Sequence, residues 1–103
     1  MKRWLLTALA GAQRDGATEL VLEPAPAGGT VFRYMGHSSP PSPSFDWPVV
    51  VSELGGLAGI RDAPYPKEGI IYVAYSGVRL RWRLKMANQG GECVLHNLGN
   101  ETI

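Results

Sequence analysis

Leu5, Ala8, Leu9 and Ala12 recur at the spacing of one helical face, while Thr7, Gln13, Arg14 and Asp15 fall on the opposite flank or at the end. Gly16 is placed to stop the turn, so the pattern predicts a helix over residues 3–15. The same stretch, with Lys2 and Arg3 before a short apolar run and small residues at Ala8 and Ala10, also fits an export signal. Removing it would strip an element needed to cover a sheet, which favours the folded helix and a cytoplasmic protein.

Periodicity then changes from helical to alternating. Leu20 and Leu22 interleave with Glu19, Val21 and Glu23, and residues 30–35 resume strand character after the Pro- and Gly-rich turn 24–29. These two runs predict a hairpin. A second helix is expected over 49–60, where Val50, Leu54 and Leu57 repeat at helical spacing, Asp46 is a candidate N-cap, Pro48 leads in and Gly59 ends it. Gly55 and Gly56 each cost about 1 kcal/mol in such a helix relative to alanine, which predicts a close neighbour there. Residues 60–69 read as a long turn, 70–75 as a strand, Ser76-Gly77 as a two-residue turn, 78–86 as its partner and 92–98 as the last strand. The order α-β-β-α-β-β-β predicts one α/β domain of the α+β kind over 1–103, a predominantly antiparallel sheet with both helices largely on one side.

Between the two halves, residues 36–48 form a proline-rich loop. Proline removes backbone donors and turns the preceding residues away from helix, so the loop is either a stiff exposed segment or a means of docking Phe45 and Trp47. In 78–86 the alternation places Arg79, Arg81, Arg83 and Lys85 on one strand face and Val78, Leu80, Trp82, Leu84 and Met86 on the other. The basic face is either solvated or a surface for carboxylates or phosphate, to which arginine bonds in bidentate fashion. Arg33 joins it if the two strands are neighbours.

Charge and chemistry narrow the function. A formal net charge of +1 supplies no overall field toward nucleic acid or an anionic membrane, and no apolar run reaches the roughly 18 residues of a spanning helix. Exposed Tyr34, Tyr72 and Tyr75 beside arginines would allow base stacking, but Glu19, Glu23 and Glu92 oppose it, leaving nucleic acid the less favoured partner. The single Cys93 excludes an intramolecular disulfide and sits in an apolar stretch as a buried thiol. For acid–base chemistry the candidates are His37, His96, Glu92 and Glu23, none with a metal-ligand spacing. Serines 38, 39, 42 and 44 lack the setting of a nucleophile elbow. Neither Gly28-Gly29 nor Gly55-Gly56 leads into Gly-Lys-Ser/Thr, so no phosphate loop is present. The sequence points away from an enzyme and requires neither cofactor nor metal.

The phrase Gly16-Ala17-Thr18-Glu19-Leu20-Val21-Leu22-Glu23-Pro24, followed by Val31-Phe32-Arg33-Tyr34-Met35-Gly36, resembles the amino-terminal domain of the type II secretion and type IV pilus ATPases. That family carries Gly-Ala-Ser-Asp-x-His-x-Glu-Pro and a strand ending in Arg-x-Asp-Gly. Further similarities are the helix 49–60, the turn Pro66-Lys67-Glu68-Gly69 in place of Pro-Gln-Asp-Gly, the basic strand, and Gly91-Glu92 before the last strand. Glu19, Val21, Met35 and Pro64 depart from the family pattern. The resemblance implies a PAS-like sandwich in which Arg33 and Arg81 or Arg83 preserve a surface that faces nucleotide on the following motor domain. It implies a stand-alone, non-catalytic adaptor or regulatory domain whose partner is a secretion or pilus ATPase or its cytoplasmic platform; the missing phosphate loop and the need for one shared core add the expectation of a folded monomer or weak dimer without ATPase activity. The competing expectations are a nucleic-acid binder using 79–85, and a fragment of a larger secretion ATPase.

Overall fold

A computed structural model of the chain describes residues 3–38 and 46–102, apart from the side chain of Trp4. Helix α1 (Arg3–Arg14) is followed by β1 (Glu19–Pro24), β2 (Thr30–Tyr34) and the two-residue β3 (His37–Ser38). Helix α2 (Trp47–Leu57) then leads to β4 (Lys67–Tyr75), β5 (Val78–Met86) and β6 (Cys93–Thr102). The six strands form one sheet in the order β3-β2-β1-β6-β5-β4, and every paired neighbour is antiparallel. The fold is mixed α+β, with the helices and strands in the expected order and β3 added.

Helix α1 ends as glycine at its position directs. Gly16, at φ +76°, lets its own N–H reach the Gln13 carbonyl at 3.1 Å and the Ala17 N–H reach the Ala12 carbonyl at 2.9 Å. This paired closure satisfies carbonyls that the helix leaves without partners. Leu5, Leu9 and Ala12, one face of the helix, are fully buried. With Val50 and Leu54 of α2 they cover the sheet face that carries Leu20, Leu22, Ile71, Leu80, Trp82, Leu84 and Leu95. That shared apolar layer is the core, and the helices lie on this face alone.

Several boundaries differ from the sequence reading. Helix α2 begins at Trp47 and ends at Leu57, so Trp47 belongs to the helix and not to the proline-rich loop. Asp46 stands at the N-cap without a side-chain capping bond; only its carbonyl is used, accepting from the Val50 N–H at 3.0 Å. Gly55 packs against the backbone of Arg61, where an added Cβ would lie 3.3 Å from the Arg61 Cα. The expected close neighbour of the two glycines is therefore the chain just after the helix, turned back by Gly59 at φ +72°. Gly69 answers a second close approach: a Cβ there would meet the Ala58 carbonyl oxygen at 2.8 Å. Strand β4 accordingly starts at Lys67, earlier than expected, under the end of α2. At the other end of the loop, His37 and Ser38 pair with Tyr34 and Arg33. Phe45 and residues 39–44 lie outside the described residues.

Candidate functional site

The sheet face away from the helices is the candidate site. Cross-strand pairing builds it row by row. One row runs Glu68, Lys85, Val94, Val21, Arg33; the next runs Ile70, Arg83, His96, Glu19; a third pairs Tyr72 with Arg81, and a fourth joins Ala74, Arg79 and Glu101. Residues opposite one another share a face because side chains alternate along each strand. Strand β5 thus presents its four cations in a line, as the alternation predicts, with Trp82, Leu80 and Leu84 turned to the core.

The four cations are not equivalent. Arg79 donates to Glu101 Oε1 at 2.9 Å, in an exposed ion pair. Arg81 is half-buried: its terminal nitrogen donates to the Leu98 carbonyl at 3.0 Å, and its Nε is buried without a hydrogen-bond partner. Arg83 and Lys85 are exposed and have no ion pair or hydrogen bond among the described residues. The free positive charge of the strand therefore sits at its carboxyl end. Tyr72, 57% exposed, stands between Arg81 and the sheet edge.

Arg33 lies on the same face but not in the same patch. Strands β1 and β6 separate it from β5, about 14 Å away by three strand spacings. It is held instead by Glu92 at 3.5 Å and Glu23 at 3.7 Å. The acids that dilute the basic strand in composition are thus consumed partly at Arg33 and partly at Arg79. Among the histidines, His96 Nδ1 is 3.7 Å from Glu19 Oε2, and His37 is exposed on β3. No group of three or more His, Cys, Asp or Glu is arranged to hold a metal ion among the described residues.

Arg81 owes its position to a bulge that sequence reasoning missed. Two steps along β5, from Leu80 to Trp82, face three steps along β6, from Asn100 to Asn97. Gly99, at φ +90°, takes up the extra residue, and its N–H donates to Asn97 Oδ1 at 2.7 Å. The Asn97 amide nitrogen donates to the Ala17 carbonyl at 3.1 Å, which ties the bulge to the start of β1. Such bulges bend a strand and re-aim its side chains. The Asn97-Leu98-Gly99 triplet was the available signal, since asparagine and glycine inside an apolar strand mark a bulge.

Trp47 and Cys93 are placed away from the basic face. Trp47 lines a cavity of about 360 Å³ with Val51, Arg61, Tyr65 and Lys67. Its cations are engaged: Arg61 donates twice to the Ser52 carbonyl, and Lys67 donates to the Arg61 carbonyl while lying 4.4 Å from the Tyr65 ring centre. Cys93 is buried, and burial pushes its thiol up to about 12. A thiol held protonated in this way is a poor nucleophile. On the helix side Tyr34 donates to Asp15 at 2.9 Å, a bond that raises the phenol above its ordinary value.

No described helix is long and apolar enough to cross a membrane. No protein-family model and no curated protein matches the chain.

Proposed function

We propose that this domain is a non-catalytic protein-interaction or regulatory module of the cytoplasm, and that it docks on a type II secretion or type IV pilus ATPase or on its cytoplasmic platform. The observation that carries the interaction reading is the open sheet face on which Arg83 and Lys85 stand exposed, and unpaired among the described residues, beside Ile70 and Tyr72. Guanidinium and ammonium groups set in line along one strand can meet several carboxylates at once, and aromatic and arginine residues are enriched at interfaces. The choice of partner rests on the sequence resemblance described above, which also favours a PAS-like arrangement of the sheet and helices. Arg83 rather than Arg81 is the better counterpart of the family arginine that faces nucleotide, because Arg81 is tied to the Leu98 carbonyl.

The test is association of the purified domain with a purified secretion or pilus ATPase, for wild type and for Arg83→Glu/Lys85→Glu. Loss of at least tenfold in affinity with an unchanged melt supports the reading. Equal affinity in a folded double variant rejects the face. Binding of single-stranded nucleic acid that weakens steeply with salt, with no association to the ATPase, would favour the stacking surface of Tyr72 and the neighbouring arginines instead.

A further inference from the structure

Strand β4 is an edge strand of nine residues, hydrogen-bonded on one side to β5. Ser76 at φ +50° and Gly77 at φ +81° make a two-residue type I′ turn that closes the β4–β5 hairpin. In such a hairpin the residues flanking the turn, Tyr75 and Val78, form a hydrogen-bonded pair, and the pattern alternates from there. The N–H and C=O groups of Ile70, Tyr72 and Ala74 therefore point away from β5, to the open edge. The start of the strand is shielded by Pro66 and by the end of α2 over Gly69. Its second half has none of the proline, charge or bulge by which edges are normally blunted. Tyr72 and Tyr75 in that half are 57% and 48% exposed.

We infer that the second half of β4 receives an extended segment of a partner protein as a seventh strand, with apolar residues on its helix side and Asp or Glu on its open side. This deepens the protein-interaction reading above and rests on it. The occupant follows from what flanks the edge. On the helix side a groove of about 440 Å³ lies between α1 and Tyr75, with Leu6 and Ala10 exposing apolar surface and Arg3 and Arg14 at its rims. Arg14 is 80% exposed and held only by its neighbour Asp15 at 3.6 Å among the described residues. On the open side, Arg81 stands across Tyr72, about two strand spacings or ~9.6 Å from an added strand, with no carboxylate paired to it among the described residues, whereas Arg79 beside it is paired with Glu101. Positive charge thus flanks the edge on both faces, while the floor toward α1 is apolar.

A second copy of β4 does not satisfy these surroundings. With the first half of the strand shielded, only the two open halves can pair, which brings Ile71 and Val73 to the helix side but leaves Ile70, Tyr72 and Ala74 on the open side, with no carboxylate for the cations there. The second α1 would also add another Arg3 and Arg14 beside the first pair. A strand alternating valine with glutamate meets both faces.

The probe is a fluorescently labelled peptide of four Glu-Val repeats, compared with its Lys-Val counterpart. Binding of the acidic peptide at least tenfold tighter than the basic one, weakened by salt, is expected. Ala74→Pro removes an outward N–H and leaves the β5 ladder intact, so it should weaken the acidic peptide at least tenfold with little change in the melt. Hydrogen exchange reads the same contact without a variant: the Tyr72 and Ala74 amides should exchange fast in the free protein and slow on adding peptide. No protection of those amides at saturating peptide, equal affinity for the two peptides, or full binding by folded Ala74→Pro overturns the inference. Association with the ATPase that is lost in Arg83→Glu/Lys85→Glu, unchanged in Ala74→Pro and not competed by the peptide, would overturn the seventh strand and keep the proposed function. Edge binding with no ATPase association would do the reverse.

Discussion

Along β5, Leu80, Trp82 and Leu84 turn to the helices and are buried, whereas Arg79, Arg83 and Lys85, one residue away in each case, stand on the open face. The two faces use one backbone and one set of ladder hydrogen bonds. They differ in what lies above them: Leu9, Val50 and Leu54 on one side, and no helix among the described residues on the other. Stability therefore resides in the even-numbered residues, and the recognition proposed above is assigned to the odd-numbered ones. Substitutions can separate the two functions because side chains two apart share a face and neighbours do not.

The largest expected effect lies on the covered face. Trp82→Ala should cost about 3–5 kcal/mol and Leu9→Ala about 2–5 kcal/mol, read by urea unfolding, because both empty fully buried sites. A loss below about 0.5 kcal/mol for Leu9→Ala, the range of exposed surface positions, would mean that α1 does not cover the sheet. The Trp82 indole N–H is buried with no hydrogen-bond partner among the described residues, so Trp82→Phe should cost clearly less than Trp82→Ala.

Next in size is the bulge that joins the faces. Asn97→Ala leaves the Ala17 carbonyl and the Gly99 N–H without their side-chain partner, at a cost of about 1–3 kcal/mol. Loss of the amide should also free the Leu98–Gly99 segment and loosen Arg81. Faster hydrogen exchange at Gly99, with the core amides of β5 unchanged, would report that local effect.

A pH experiment probes the covered face from within. The Cys93 thiol ordinarily ionises near 9.0, and burial pushes it up to about 12 in the fold. The fold favours the protonated thiol, so its contribution is whole below pH 9 and declines as pH rises from 9 toward 12. The slope is up to about 1.4 kcal/mol per pH unit. Wild type should lose stability relative to Cys93→Ala when melts at pH 8 are compared with melts at pH 10. A constant difference would place the thiol in contact with water.

The smallest expected change in stability is on the open face. Arg83→Glu/Lys85→Glu should shift the unfolding free energy by no more than about 0.5 kcal/mol, since both side chains are exposed and make no ion pair among the described residues. Arg81→Glu should cost more, because Arg81 is half-buried and bonded to the Leu98 carbonyl. If the two variants melt alike, the division of β5 into a structural and a recognition face fails at Arg81.

Local periodicity settled much of this molecule before any tertiary contact. Leu5, Leu9 and Ala12 chose the buried side of α1, Ser76-Gly77 chose the hairpin, and the arginine alternation chose which side of β5 is basic; each depends only on residues a few positions apart. Long-range pairing decided the rest. Strand β6 inserts between β1 and β5, which carries Arg33 three strands from the basic line and delivers it to Glu92, a residue 59 positions away in the chain. The same pairing draws Ala17 to Asn97, lengthens β6 past Leu98 through the bulge, and makes β4 an edge. Periodicity states which face a side chain takes, but strand order is set by how the two hairpins bury one common apolar layer, and no short window of sequence contains that choice.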